Sequence, residues 1–179
     1  MQEAGGCIVK NLYLIRVNQE YIKFLRKFDN HVQDNSNEKN NKPYLGVLLE
    51  KDEQKYFVPL SSPKEKHKKF MELEERKKLP IDIFLIKESK TKLIGVLNIN
   101  NMIPVIDDVI EYFNIKEDKD YHLLQKEYIY CIKNQDEILK KATKIYDLVT
   151  KHNKISLIKR CCNFKLLEEK SKRFHKKDT

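Results

Sequence analysis

An α+β fold, with helices around an antiparallel sheet, is what this sequence predicts, on three observations. Short apolar runs bounded by polar turns occupy the chain up to Ile106. Two of those runs are spaced as a β-hairpin. Beyond Tyr121 the apolar residues recur at helical spacing. Strands come mainly first and helices mainly last, so the helices are left to cover the sheet.

The elements follow in order. Asn11 to Val17 alternates apolar residues as a first strand. Asn18 reads as an N-cap, and Tyr21, Ile22, Leu25 and Phe28 share one face of the helix it opens. The stretch NHVQDNSNEKNN, Asn30 to Asn41, is a polar loop. Tyr44–Glu50 and Lys55–Leu60 make the hairpin, turning over Asp52 and Glu53. Ser62 and Glu65 then have capping-box spacing, and Pro63 suits a first helical position, so a helix is predicted to start at Ser62 and to end before Pro80. Ile81–Ile86 and Leu93–Ile99 flank the polar turn KESKTK as further strands. Pro104 confines Met102–Ile106 to an edge strand, because proline offers the ladder no N–H. Tyr121, Leu124, Tyr128 and Cys131 stripe one helix; Ile138, Ala142, Ile145 and Val149 stripe another, with Asn134 as the break. A short strand or loop is predicted over Ile155–Cys162, then a basic helix from Asn163 into KSKRFHKK. Residues 1–10 read as an N-terminal extension and residues 11–179 as a single domain.

The chain carries 36 Lys and Arg against 27 Asp and Glu, a formal charge of +9, which points to an anionic partner. Lysine supplies most of it. A lysine ammonium is a hydrated point charge suited to phosphates, whereas base reading favours the arginine fork, so a nucleic-acid backbone is the expected target. No apolar run approaches the roughly 20 residues that cross a bilayer, and the first residues lack a signal-peptide pattern, so a cytoplasmic location without a membrane partner is expected. The four cysteines form neither C-x-x-C nor zinc spacing with the five histidines, and no metal or other cofactor is predicted.

The candidate site is VPLSSPKEKHKK, Val58 to Lys69. A helix start presents unpaired N–H groups and a positive dipole end to anions, and hydroxyls of Ser61 and Ser62 and the ammonium of Lys64 crowd the same point. The plainer reading is that Ser62 only caps its own helix and the lysines are solvated. Metal-free RNA cleavage needs a phosphate held in line, a proton taken from the 2′-OH, and one given to the leaving 5′-oxygen. Lys64 would neutralise the phosphorane, the two serines would donate to its oxygens, and His67, three residues on, titrates in the useful range. Asp107 and Asp108 offer a Mg²⁺ alternative, or are solvated turn residues. Sequences for P-loop, nucleophile-elbow and H-E-x-x-H chemistry are absent.

Five segments in order, YIKFLRKFD, KPYLGVLLE, KYFVPLSSPKEKHKKF, GVLNINNMIPV and CNFKLLEEKSKRF, resemble the ToxN/AbiQ family of type III toxin endoribonucleases. The resemblance runs from about Asn11 to Phe174. It implies a curved antiparallel sheet surrounded by helices, similar to the Kid and MazF toxins, and metal-independent cleavage leaving a 2′,3′-cyclic phosphate and a 5′-hydroxyl. Its T/S-S-P-K motif falls on Ser61, Ser62, Pro63 and Lys64, its further lysine on Lys42, and its S-P-K-x-x-H variants on His67. Some relatives carry an upstream tyrosine; here that role is absent or taken by Tyr44. The implied partners are mRNA as substrate and a small repeated, pseudoknot-like RNA antitoxin. The toxin cuts that antitoxin from its precursor and keeps it in closed rings of alternating protein and RNA, serving phage defence or plasmid maintenance. Lys66, Lys68 and Lys69 beside the motif, and Lys170, Lys172, Arg173 and Lys176 near the C-terminus, are expected to grip RNA phosphates. A non-catalytic RNA-binding module and a basic structural protein are the alternatives.

Overall fold

The hairpin is the centre of the architecture. In the computed structural model, which describes residues 12–34 and 42–175, strand β2 (Tyr44–Lys51) turns into β3 (Gln54–Ser61). The turn residues Asp52 and Glu53 take φ of 47° and 66°. Two successive left-handed residues give a turn whose twist matches that of the strands it joins. The extension at 1–10, Asn11, most of the polar loop before Lys42, and Lys176 lie outside the described residues.

β3 also serves both halves of the remaining sheet. Its first half pairs with β6 (Ile103–Val105), placing Pro104 opposite Tyr56 on a short edge strand, and its last residues, Leu60 and Ser61, pair with β5 (Lys92–Asn98). β4 (Ile83–Ser89) pairs with β5 around a two-residue turn at Lys90 and Thr91, so the predicted KESKTK turn is mostly strand. β1 (Tyr13–Val17) pairs with β2, and a strand that the sequence did not suggest, β7 (Ile110–Glu111), pairs with β1. The result is an antiparallel sheet in the order β4-β5-β3-β2-β1-β7, with β6 beside β3, not closed into a barrel.

Helices cover this sheet. α1 (Gln19–Arg26) is capped by Asn18, whose Oδ1 accepts from the N–H groups of Glu20 and Tyr21 at 3.0 and 3.3 Å. α3 (Tyr121–Lys133) leans on β4 and β5, α4 (Gln135–Thr150) on β2, and α6 (Phe164–Ser171) on β6. The predicted stripes of α3 and α4 face the core, with Leu124, Cys131, Ile138, Ala142, Ile145 and Val149 all buried. Inside, the carboxylate of Glu168 accepts hydroxyls from Tyr56 at 2.9 Å and Tyr146 at 2.6 Å, which satisfies a charge that burial alone would penalise.

Two expectations are corrected. Ile155–Ile158 is one helical turn, α5, followed by a turn, where a strand or loop was predicted. α2 spans Glu65–Glu75 and starts two to three residues later than Ser62. The reason lies in what occupies the serine.

Candidate active site

Register brings the site together. Tyr44 pairs with Pro59, and Leu60 N–H donates to the Pro43 carbonyl at 3.0 Å. Continuing that antiparallel ladder sets Lys42 opposite Ser61, one residue from Ser62. The Lys42 ammonium donates to Ser62 Oγ across this gap. A cap bond from Ser62 to its own helix is therefore replaced by a bond to a lysine twenty positions away.

The helix start is satisfied by another route. Lys64 is the residue before α2 and has an extended backbone (φ −110°, ψ 165°). Its N–H donates to His67 Nδ1 at 2.9 Å, and the His67 N–H returns a bond to the Lys64 carbonyl at 2.8 Å. An imidazole here takes the part that Glu or Gln plays in a capping box. Since Nδ1 accepts, the neutral ring carries its proton on Nε2, and that atom is enclosed without a hydrogen-bond partner among the described residues. Burial first, then the charges of Lys66 and Lys64, lower the pKa of His67 below its ordinary value. The ring is a neutral brace on the Lys64 backbone.

Ser61, the last residue of β3, and Ser62, the first beyond it, diverge. Ser62 is exposed, whereas Ser61 is 7% exposed, donating to Gln33 Oε1 and accepting from Asn98 Nδ2, both at 3.3 Å. These residues line a cleft of about 670 Å³. Its wall is tied by the asparagines of GVLNINNMIPV, to which the sequence alone assigns no role. Asn98 reaches Ser61, Asn100 Nδ2 holds the Arg160 carbonyl at 2.8 Å, and Asn101 Nδ2 holds the His31 carbonyl at 2.6 Å. Arg160 is fixed in turn by Asp82 at 2.6 Å. Three amides at and just beyond the end of a strand were the available signal, but their partners lie 37, 60 and 70 positions away.

Charge in the cleft is unbalanced. Arg26, Lys42, Lys64, Lys66 and Arg160 line it against Asp34 and Asp82. Burial lowers the Lys42 pKa from its ordinary value, while the negative charges of Glu127 and Asp120 pull it back up. The arrangement is a basic hollow with one lysine-oriented hydroxyl at its mouth.

The other predicted contacts are dispersed. Lys68 pairs with Glu65 at 2.9 Å on the exposed face of α2, and Lys69 is exposed beside it. Lys170 lies over the Phe28 ring, 5.0 Å from its centroid, and Arg173 pairs with Glu169 at 2.8 Å; Lys172 is exposed. None of these five lines the cleft. Tyr44, expected as a ring for RNA contact, is 2% exposed and packs in the core. Asp107 accepts from Lys55 at 2.8 Å in a short 3-10 turn, and among the described residues no three His, Cys, Asp or Glu side chains gather to hold a metal ion. No helix among the described residues is long and apolar enough to cross a membrane.

Comparison with known proteins finds relatives over nearly the whole chain. The chain is 33% identical to an endoribonuclease ToxN of Bacillus thuringiensis subsp. kurstaki over 90% of its length and 84% of the relative's. It is 34% identical to endoribonuclease AbiQ of Lactococcus lactis subsp. lactis, over 94% of this chain and 92% of that one. A solved structure concerned with selective inhibition of a type III toxin by a non-coding RNA pseudoknot superposes with a TM-score of 0.77 at 31% identity, covering 91% of this chain and 97% of that chain. The family described as "Toxin ToxN, type III toxin-antitoxin system" matches residues 13–172, and this chain belongs to it.

Proposed function

We propose that this protein is an endoribonuclease toxin that cleaves mRNA, and its own antitoxin precursor, by metal-independent attack of a ribose 2′-OH on the adjacent phosphate. The observation that supports this most is the Lys42 ammonium donating to Ser62 Oγ at the mouth of a basic cleft. With its lone pair taken by Lys42, the Ser62 hydroxyl directs its own hydrogen away, towards a phosphate oxygen. Lys64, held by His67 through its backbone, carries its ammonium to the same phosphate. Together they stabilise the dianionic phosphorane, a group far more charged at the transition state than in the substrate. The proton given up by the attacking 2′-OH is balanced by the one taken up by the expelled 5′-oxygen, so the P–O5′ bond breaks as the P–O2′ bond forms and a 2′,3′-cyclic phosphate and a 5′-hydroxyl are left.

The same cleft accounts for neutralisation by a small repeated RNA with a pseudoknot-like fold. Its single-stranded ends occupy the hollow that mRNA needs, and each RNA unit bridges one protein to the next in a closed ring. Tyr112, 76% exposed beside a second cleft, offers a ring on which a splayed base stacks. Residues 11–179 act as a single catalytic unit, in the cytoplasm where mRNA and antitoxin precursor are found.

The test is direct. Ser62→Ala and Lys64→Ala should each lower cleavage of a short RNA by on the order of a hundredfold or more, with unchanged melting curves. Cleavage by the unaltered protein should persist in excess EDTA, giving cyclic-phosphate ends. Wild-type rates in both variants, or loss on chelation with return on Mg²⁺, would overturn the reading.

A further inference from the structure

A second cleft, of about 710 Å³, opens on the other side of Lys42, and it contains an enclosed carboxylate. Glu127, midway along α3, is 4% exposed. Its place exists because Gly95 on β5 has no side chain: a Cβ there would lie 2.5 Å from Glu127 Oε1. An enclosed carboxylate needs a cation to be tolerated as a charge. Lys42 lines the same cleft and supplies the strongest opposite charge acting on Glu127.

The other charges lining this cleft are Arg16, Glu117, Asp118, Lys119 and Asp120, and of these only Asp120 acts appreciably on Glu127. Asp120, before the first turn of α3, repels it. Across the cleft Arg16 is held by Asp118 at 2.5 Å. On β4, Lys87 serves Glu74, and Glu88 takes both Lys126 and Lys92. From the 3-10 turn before α3, Glu117 accepts from Asn114, and on α4 Glu137 faces Lys141. Cys131, one turn along α3, stays a thiol because burial and Glu127 itself raise its pKa.

We propose that Glu127, seated over Gly95 in the rear cleft that Lys42 also lines, is a positioning residue for the reaction: its carboxylate holds the Lys42 ammonium aimed at Ser62 Oγ. The inference rests on the reading of Ser62 and Lys42 given above. Burial favours the free amine of Lys42, which would accept from Ser62 and turn its hydroxyl hydrogen inward. The carboxylate behind opposes that, so the proton stays on nitrogen and the donor direction is preserved. The support is electrostatic and strongest where Lys42 would otherwise lose its proton, on the alkaline side.

The experiment compares the full chain with Glu127→Gln and Gly95→Ala over about pH 6 to 10, following cleavage of a short RNA. The alkaline limb of the rate profile should move to lower pH in Glu127→Gln, with about a tenfold lower rate above the limb for each unit moved. Gly95→Ala, whose Cβ displaces the carboxylate, should move it in the same direction, and it decides the matter if Glu127→Gln does not fold. A second arm needs no cleavage. In a Ser62→Ala background, labelling of Lys42 by an amine-acylating reagent near pH 8, read by mass spectrometry, should be faster when Glu127 is Gln. Unmoved limbs with unchanged labelling, or a uniform loss across the pH range, would overturn the proposal. Failure of the catalytic reading would look different: Ser62→Ala would cut normally while the labelling still responded to Glu127.

Discussion

A hydroxyl is a directed donor only when something else fixes its hydrogen, and at Ser62 that something is Lys42. Nothing within the motif reveals this pair. The two residues are twenty apart, and only the resemblance named Lys42; the ladder that sets them opposite one another is a property of the folded hairpin. Glu127 was less legible still, because its partner is set by a strand pairing and a missing side chain on another element. Its environment also carries a stability consequence. Burial pushes its pKa up to about 7 from an ordinary 4.5, with Lys42 pulling the other way. A carboxyl whose folded pKa is raised lends its stability below the unfolded value and loses it as pH climbs through the folded one. Between about pH 4.5 and 7 the protein should therefore weaken. Glu127→Gln should melt higher than the unaltered protein at pH 8, by on the order of 2 kcal/mol, and the difference should vanish near pH 4. Thermal melts at the two pH values check it; a lower melting point for Gln at pH 8 would contradict the assigned burial.

Among the elements, α2 shows best where local rules stop. Ser62, Pro63 and Glu65 make a valid helix-start signal, yet the helix begins at Glu65 because Lys42 takes the serine and His67 braces Lys64. The prediction follows from the brace. His67→Gln keeps an acceptor at the third helical position and should retain most cleavage. His67→Ala should lose about 1 kcal/mol of stability with a fall in cleavage as Lys64 shifts. An imidazole that exchanges protons during the reaction would instead leave Gln as inactive as Ala. Most other elements were legible because their signals are local: Asn18 caps, the 3.6-residue stripes of α3 and α4, and the left-handed turn at Asp52 and Glu53. Tyr44 was not, since β2 is covered on both faces and its alternation says nothing about which ring reaches solvent.

At the scale of the whole molecule the positive charge is unevenly committed. Part of the excess that pointed to an anionic partner lines the cleft, where Lys42, Lys64 and Lys66 face no carboxylate across an ion pair among the described residues while Arg26 and Arg160 pair with Asp34 and Asp82. Lys68, Lys170 and Arg173 already face Glu65 or Glu169. Affinity for a single-stranded RNA should fall steeply with salt. Lys66→Ala should reduce the slope of log affinity against log salt by roughly 0.7, the value for one lost phosphate contact. The double change Lys170→Ala and Arg173→Ala should reduce it less. Filter binding at several salt concentrations distinguishes them, and equal slopes would return the C-terminal face to the RNA surface.

The open sheet has an implication of a different kind, for colloidal behaviour. A sheet that does not close leaves unpaired backbone groups along its borders, and such borders invite copies of the same chain to stack on them. Here β6 is a three-residue border strand carrying Pro104, and of the two outer borders one, β7, is only two residues long. At the other, Lys87 and Glu88 on β4 are tethered by Glu74, Lys92 and Lys126, so an incoming strand meets a row of locked charges. The fold thereby discourages self-templating along its borders, and leaves the basic hollow as the adhesive part of its surface.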